Sequence, residues 1–143
     1  MRRLTLQGCC RAGAPLLPAV LLVAGVLGCH SSTAPPKQPK IRVEGPPGAR
    51  FAYRVSYFDG PGNPAFYGKD ETIPQSGVWS LDLETDHKGV VLQAAPNFTA
   101  TVTVILLDGA TEIQRATAKG QRETATVQAG RVEEVRPFKP WGG

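Results

Sequence analysis

The sequence predicts an all-β protein, an immunoglobulin-like β-sandwich of seven or eight antiparallel strands that follows a signal peptide and a disordered tether. Three observations predict it. Apolar and polar residues alternate with period two in segment after segment from Lys40 to Ala129. Clusters of Gly, Pro, Asp and Asn punctuate that pattern at intervals of about 8 to 12 residues, the rhythm of short strands. Between 40 and 130 no run carries the apolar stripe of an amphipathic helix.

The strands follow in order. Ile41 and Val43 alternate with Arg42 and Glu44, and Gly45-Pro46-Pro47-Gly48 ends the run. Phe51, Tyr53, Val55 and Tyr57 alternate with Ala52, Arg54 and Ser56 before the turn cluster Asp59-Gly60-Pro61-Gly62-Asn63-Pro64. Trp79, Leu81 and Leu83 face one way, Ser80, Asp82 and Glu84 the other. In the next segment Val90, Leu92 and Ala94 share a side. Phe98, Ala100, Val102, Val104 and Leu106 form the longest inward row, and Asp108-Gly109 after it is a two-residue hairpin signal. Thr111 to Ala118 and Arg122 to Ala129 are rich in Thr, Ala and charge, the composition of half-exposed or edge strands. A small barrel is the competing architecture. Residues 131–143 have no periodicity and are assigned as a tail, although they contain Phe138, Pro140 and Trp141.

The first 28 residues differ from the rest. Arg2, Arg3 and Arg11 give a basic start without acids, and Leu16 to Leu27 is an apolar run interrupted by Pro18, the order of a secretory signal. The run is too short and too broken for a spanning helix, which needs about 20 apolar residues. Val26-Leu27-Gly28-Cys29 resembles the lipobox of bacterial lipoproteins: a small residue precedes the cysteine, cleavage falls between Gly28 and Cys29, and the Cys29 thiol takes the lipid. Each buried methylene contributes about 0.8 kcal/mol, so two or three acyl chains hold a protein on a bilayer. The polar, Pro-rich residues 30–39 fit a tether between lipid and domain. Arg2-Arg3 is also compatible with a twin-arginine signal, but Thr5 departs from that pattern and favours the general secretion route. The organisation is therefore 1–28 signal peptide, 29–39 lipidated cysteine and tether, 40–130 sandwich and 131–143 tail. The expected location is the cell envelope, at the outer membrane in a Gram-negative cell because His30 rather than Asp follows Cys29.

Charge and cysteine content narrow the function classes. The net charge of +4 falls to +1 once the signal is set aside, 13 basic against 12 acidic residues with the signs interspersed, so no nucleic-acid patch is indicated. Cys9, Cys10 and Cys29 are the three cysteines, and the domain after Cys29 has no thiol for a disulfide or a metal site.

At the level of motifs, Ile41-Arg42-Val43-Glu44-Gly45, Val55-Ser56-Tyr57-Phe58-Asp59, Gly62-Asn63-Pro64, Glu71-Thr72-Ile73-Pro74, Trp79-Ser80-Leu81 and Leu107-Asp108-Gly109 together resemble the extracytoplasmic domain of the MmpS family across residues 41–129. The resemblance implies a compact β-sandwich that serves as an accessory to membrane transporters exporting lipids or small molecules. The chain departs from the family in having a lipobox where members have a transmembrane helix, and in lacking paired cysteines at 102–105 and 124–127.

No catalytic constellation, metal centre or cofactor motif is read from the sequence. His87, in Thr85-Asp86-His87-Lys88-Gly89, has Asp86 and Glu84 beside it as potential cation ligands, against the simpler reading of a solvated hairpin loop. Asp70 and Glu71 are neighbours on a strand and point to opposite faces, which prevents joint acid and base work. Gly60-Pro61-Gly62 lacks the backbone donors of a phosphate loop. Tyr53, Tyr57 and Trp79 belong to the core by alternation, whereas Phe58, Phe66 and Tyr67 flank the Pro/Gly loop and are the candidate contact surface. The expected function is a membrane-anchored, noncatalytic module for a transport system or envelope complex, its partners being the membrane through Cys29 and a transporter or other envelope protein. The alternative is a solute- or carbohydrate-binding lipoprotein, and a hydrolase lacks the necessary residues.

Overall fold

The computed structural model describes residues 34–62 and 64–141, and they form a β-sandwich of eight antiparallel strands. These are β1 (Pro39–Glu44), β2 (Arg50–Phe58), β3 (Ala65–Thr72), β4 (Val78–Asp82), β5 (Gly89–Pro96), β6 (Thr101–Asp108), β7 (Thr111–Lys119) and β8 (Ala125–Gly130). One sheet has the order β4-β1-β6-β7 and the other β3-β2-β5-β8. Among the described residues no helix is long and apolar enough to cross a membrane.

Alternation builds the core from both sheets, because successive side chains on a strand leave by opposite faces. Ile41 and Val43 of β1, Phe51, Tyr53 and Val55 of β2, Leu92 of β5, Val102, Val104 and Leu106 of β6, and Val127 of β8 are buried together. Trp79 of β4 closes one flank, its ring edge-on to Phe51 at 5.3 Å and tilted on Tyr53 at 5.0 Å. On the opposite flank the Gln128 amide of β8 donates to the Gln114 side chain of β7 at 2.6 Å, a link between sheets that have no backbone ladder there. A two-residue hairpin joins β6 to β7 where the dipeptide signal predicts one, but its loop is Gly109-Ala110, one residue later, because Asp108 still pairs with Thr111; Gly109 takes the left-handed region at φ 60°.

Four features depart from the sequence reading or add to it. The strand β3 has no counterpart among the seven segments read from alternation; it is an edge strand exposed on nearly its whole length, so nothing in its hydrophobic pattern marks it. Phe98, placed by the sequence in the inward row of β6, is instead 72% exposed in the turn before that strand, with φ of 56°. The left-handed turn reverses its direction and takes it out of register with Val102. The tether ends earlier than its composition implies. Pro36 is buried, and the backbone amides of Lys37 and Gln38 both donate to the Asp108 carboxylate, at 3.0 and 2.7 Å.

The fourth feature is the segment after β8. Aperiodic in sequence, it lies along the outer face of the second sheet as a strap. Its Arg136 carbonyl accepts from Gln93 Nε2 at 3.0 Å and from Arg54 at 2.6 Å, the Phe138 carbonyl accepts from the Thr124 hydroxyl at 2.8 Å, and Trp141 Nε1 donates to the Ala95 carbonyl at 3.1 Å. The strap explains why β5 is buried on both faces. Val91, Gln93 and Ala95 point away from the core yet are as enclosed as Val90, Leu92 and Ala94, which face it.

Candidate functional site

A groove of about 350 Å³ lies between this strap and the outer face of β2, β3 and β5. Its floor follows from strand register. Arg54 of β2 stands beside Gln93 of β5, and Ser56 stands beside Val91 on one flank and Phe66 of β3 on the other. Phe58 continues the same face of β2 two residues on, and Pro64 precedes β3. Glu134, Val135 and Arg136 of the strap form the remaining wall.

Polarity divides the groove along its length. At one end Arg54 donates from Nε and Nη2 to Gln93 Oε1, at 3.2 and 2.6 Å, and from Nη2 to the carbonyls of Arg136 and Pro137, at 2.6 and 3.2 Å. Its guanidinium lies 5.0 Å from the centre of the Phe138 ring. Every one of these acceptors is neutral. Burial, and then the like charge of Arg136, hold Arg54 below the ordinary arginine range. Toward the other end Phe58, Pro64, Phe66, Val91 and Val135 carry no hydrogen-bonding group on their side chains.

The three aromatics of the predicted contact surface separate. Phe58 and Phe66 both line the groove, Phe58 almost wholly buried in it and Phe66 74% exposed at its mouth. Tyr67 is the next residue on β3 and leaves by the other face, where its ring meets Tyr53 edge-on at 5.9 Å and stays half exposed. Tyr67 also helps raise the Tyr53 hydroxyl pKa, after the larger effect of burial. Arg54, Gln93, Val135 and Arg136 are groove residues that the sequence did not single out. A signal existed for Gln93, a lone amide in the apolar run Val90 to Ala95, and for the apolar cluster Phe138, Pro140 and Trp141 in a segment assigned as tail. Gly28 and Cys29, the predicted cleavage and lipidation residues, lie outside the described residues.

A second cluster occupies the end of the sandwich where the tether enters. His87 Nδ1 is 2.9 Å from an Asp59 oxygen and Nε2 is 2.8 Å from a Glu84 oxygen. The imidazole also stacks on Tyr57 at 4.3 Å, and the Tyr57 hydroxyl accepts from the Glu84 amide at 3.3 Å. Glu84 is therefore at His87 as the sequence suggested, but Asp86 is not; it accepts from the Thr85 hydroxyl, and Asp59 from the β2–β3 loop takes its place. The two carboxylates engage opposite ring nitrogens, so the three groups do not converge on one point, and among the described residues no group of His, Cys, Asp and Glu is placed to hold a metal. The histidine pKa is raised, chiefly by its hydrogen bond to Glu84, with Asp59 adding to it against some desolvation. Asp70 and Glu71 engage separate cations across β3, Arg50 at 3.8 Å and Lys69 at 3.1 Å.

Compared with protein-family models, with curated proteins and with solved structures, the chain matches none.

Proposed function

We propose that this chain is a lipid-anchored lipoprotein of the cell envelope that presents its sandwich as a noncatalytic interaction module, working beside a membrane transport system or another envelope complex. The observation that carries the reading is the position of the groove relative to the tether. Lys37 is fixed to Asp108 only eight residues after Cys29, a distance of at most about 29 Å when extended. Pro39 pairs with Asp108, Leu83 donates to the Pro39 carbonyl, and the loop from Leu83 to Gly89 leads to the strand end at Phe58. The apolar half of the groove thus belongs to the end that an acylated Cys29 would hold toward the bilayer. An exposed Phe66 at that end is an expensive residue to leave in water and a useful one at a contact.

The groove also favours a second reading within the same anchored arrangement, that of a solute-binding lipoprotein, because it is a concave and partly apolar cavity. Replacing Cys29 with Ser tests the anchor: the expected result is loss of cleavage between residues 28 and 29 and of lipid mass, the uncleaved apolar run then being the chain's hold on the membrane. Unchanged trimming and equal membrane retention refute it. For the interaction role, mild crosslinking in cells followed by purification is expected to recover an envelope protein with the wild type and less of it with Phe66→Ala. Recovery of the lipoprotein alone, at native abundance, counts against that role.

A further inference from the structure

We propose that the groove under the strap is a binding site for a single-chain organic anion, with the acidic head at Arg54 and the apolar chain lying toward Phe58, Pro64 and Phe66. The inference deepens the reading of this groove as the module's contact surface, and it does not depend on acylation of Cys29.

Three properties select that class of ligand. The first is the ordering of polarity. Arg54 and Phe58 are four residues apart on one face of β2, about 14 Å at the rise of an antiparallel strand, and polar lining gives way to apolar lining over that length. A sugar or nucleoside needs a hydrogen-bonding partner for each of its buried polar groups, and past the single hydroxyl of Ser56 the side chains of Phe58, Pro64, Phe66, Val91 and Val135 supply none. A hydrocarbon chain needs only the apolar surface they offer.

The second property is charge. Arg54 is a half-buried cation whose hydrogen bonds from Nε and Nη2 all end on neutral oxygens, and its nearby charged neighbour is another arginine, Arg136. Its Nη1 takes part in none of those bonds. A carboxylate, sulfate or sulfonate placed there would relieve the repulsion between the two guanidiniums as well as gain a charge-assisted hydrogen bond. The acidic residue of the groove, Glu134, is on the exposed part of the strap, so a cationic ligand would add to the uncompensated charge at Arg54.

Size is the third. At about 350 Å³ the groove is at the small end of ligand cavities, roughly 300 to 1,000 Å³, which suits one chain and excludes a two-chain lipid. Its floor, Val91 and Phe58, is buried, while its rim, Phe66 and Val135, is 74% and 39% exposed. An apolar chain would cover that rim.

The test uses the full chain in membranes of the expressing bacterium and a dodecanoate with a diazirine at its apolar end. After photolysis, peptide mapping is expected to find the label on the segments containing Phe58, Pro64, Phe66 or Val135. An excess of unlabelled dodecanoate should reduce this label at least tenfold, and dodecan-1-ol, which has the chain without the charge, should leave it unchanged. Arg54→Met is expected to reduce the label about tenfold. Because Arg54 also holds the strap, Phe66→Glu is the companion variant: it alters an exposed residue, keeps the fold, and brings a carboxylate into the mouth of the groove with the same loss. Label confined to residues 1–33, equal competition by the alcohol, or full labelling of both variants would overturn the proposal. Cys29→Ser separates this outcome from the anchoring question, since groove labelling is expected to survive in that variant even when the lipid is lost.

Discussion

Removing the imidazole of His87 gives the most direct test of how the tether end is held. In the protonated state both ring nitrogens donate, one to Asp59 and one to Glu84, at 2.9 and 2.8 Å. Fully buried charged hydrogen bonds contribute about 1.5 to 3 kcal/mol each. The two carboxylates are mostly solvent-exposed, which brings each bond down toward the ~0.2 to 1 kcal/mol of a surface ion pair. Together they contribute about 0.4 to 2 kcal/mol, and stacking on Tyr57 adds about 0.5 to 1 kcal/mol that does not depend on histidine protonation. The folded-state pKa is raised above the unfolded value of 6.5, so the charged double-donor clamp stabilises fully below pH 6.5 and is lost as pH rises through the folded-state pKa, when the neutral ring keeps one N–H for a single bond. Tyr57, its pKa raised by burial, stays neutral across that interval.

The assay is thermal unfolding of wild type and His87→Gln side by side from pH 6 to pH 9. For a domain of this size 1 kcal/mol corresponds to about 4 to 8 °C in Tm. The variant is expected to melt ~4 to 24 °C below wild type at pH 6, the sum of clamp and stacking, with the gap narrowing at pH 9 toward stacking plus a single neutral hydrogen bond. Asp86 and Lys88 flank His87 in sequence and are present in both proteins, so the comparison cancels their contribution. A gap that stays constant from pH 6 to pH 9 would refute the double-donor clamp, since a packing role alone has no such pH dependence.

Other sites give sharper or simpler outcomes. Gly89→Ala is expected to cost several kcal/mol or to prevent folding, because a Cβ there would sit 2.1 Å from the Arg131 carbonyl oxygen, backbone that cannot give way cheaply; chemical denaturation and soluble yield measure it. Phe98→Gly is expected to raise stability by about 0.5 to 1 kcal/mol, since it relieves a left-handed backbone and removes an exposed ring, and a lower denaturation midpoint would contradict this. Asp108→Ala removes the acceptor of the Lys37 and Gln38 amides and is expected to cost ~1 to 2 kcal/mol, with faster amide exchange confined to residues 37–40. Leu92→Ala, at a wholly buried core position, is expected to cost about 2 to 5 kcal/mol in the same denaturation assay.

Alternation by itself determined the class of fold and most of the inward residues. In β1, β2 and β6 one face meets the opposing sheet, and a period-two pattern is the direct imprint of that burial. The dipeptide Asp108-Gly109 placed its hairpin to within one residue for a similarly local reason, the left-handed conformation that glycine adopts at no cost. Strand β3 left no such imprint, because an edge strand exposed along its length has no apolar side to declare. Phe98 misled for the converse reason: its spacing from Val102 fits the inward row, but the turn at φ 56° breaks the phase that spacing arguments assume.

Of the groove, sequence marked Phe58 and Phe66 by their place around the Pro/Gly loop, and it grouped Tyr67 with them because it could not assign faces to an unrecognised strand. The rest was decided by tertiary structure. Arg54 and Gln93 are 39 residues apart and meet only because β2 pairs with β5, and both meet the Arg136 carbonyl because an aperiodic strap crosses that sheet. His87 likewise takes one partner from its own loop, three residues away, and the other from a loop 28 residues distant. Local sequence records which side of a strand faces the core. Contacts between distant segments depend on strand order, and strand order is fixed by the summed packing of two sheets rather than by any one run of residues.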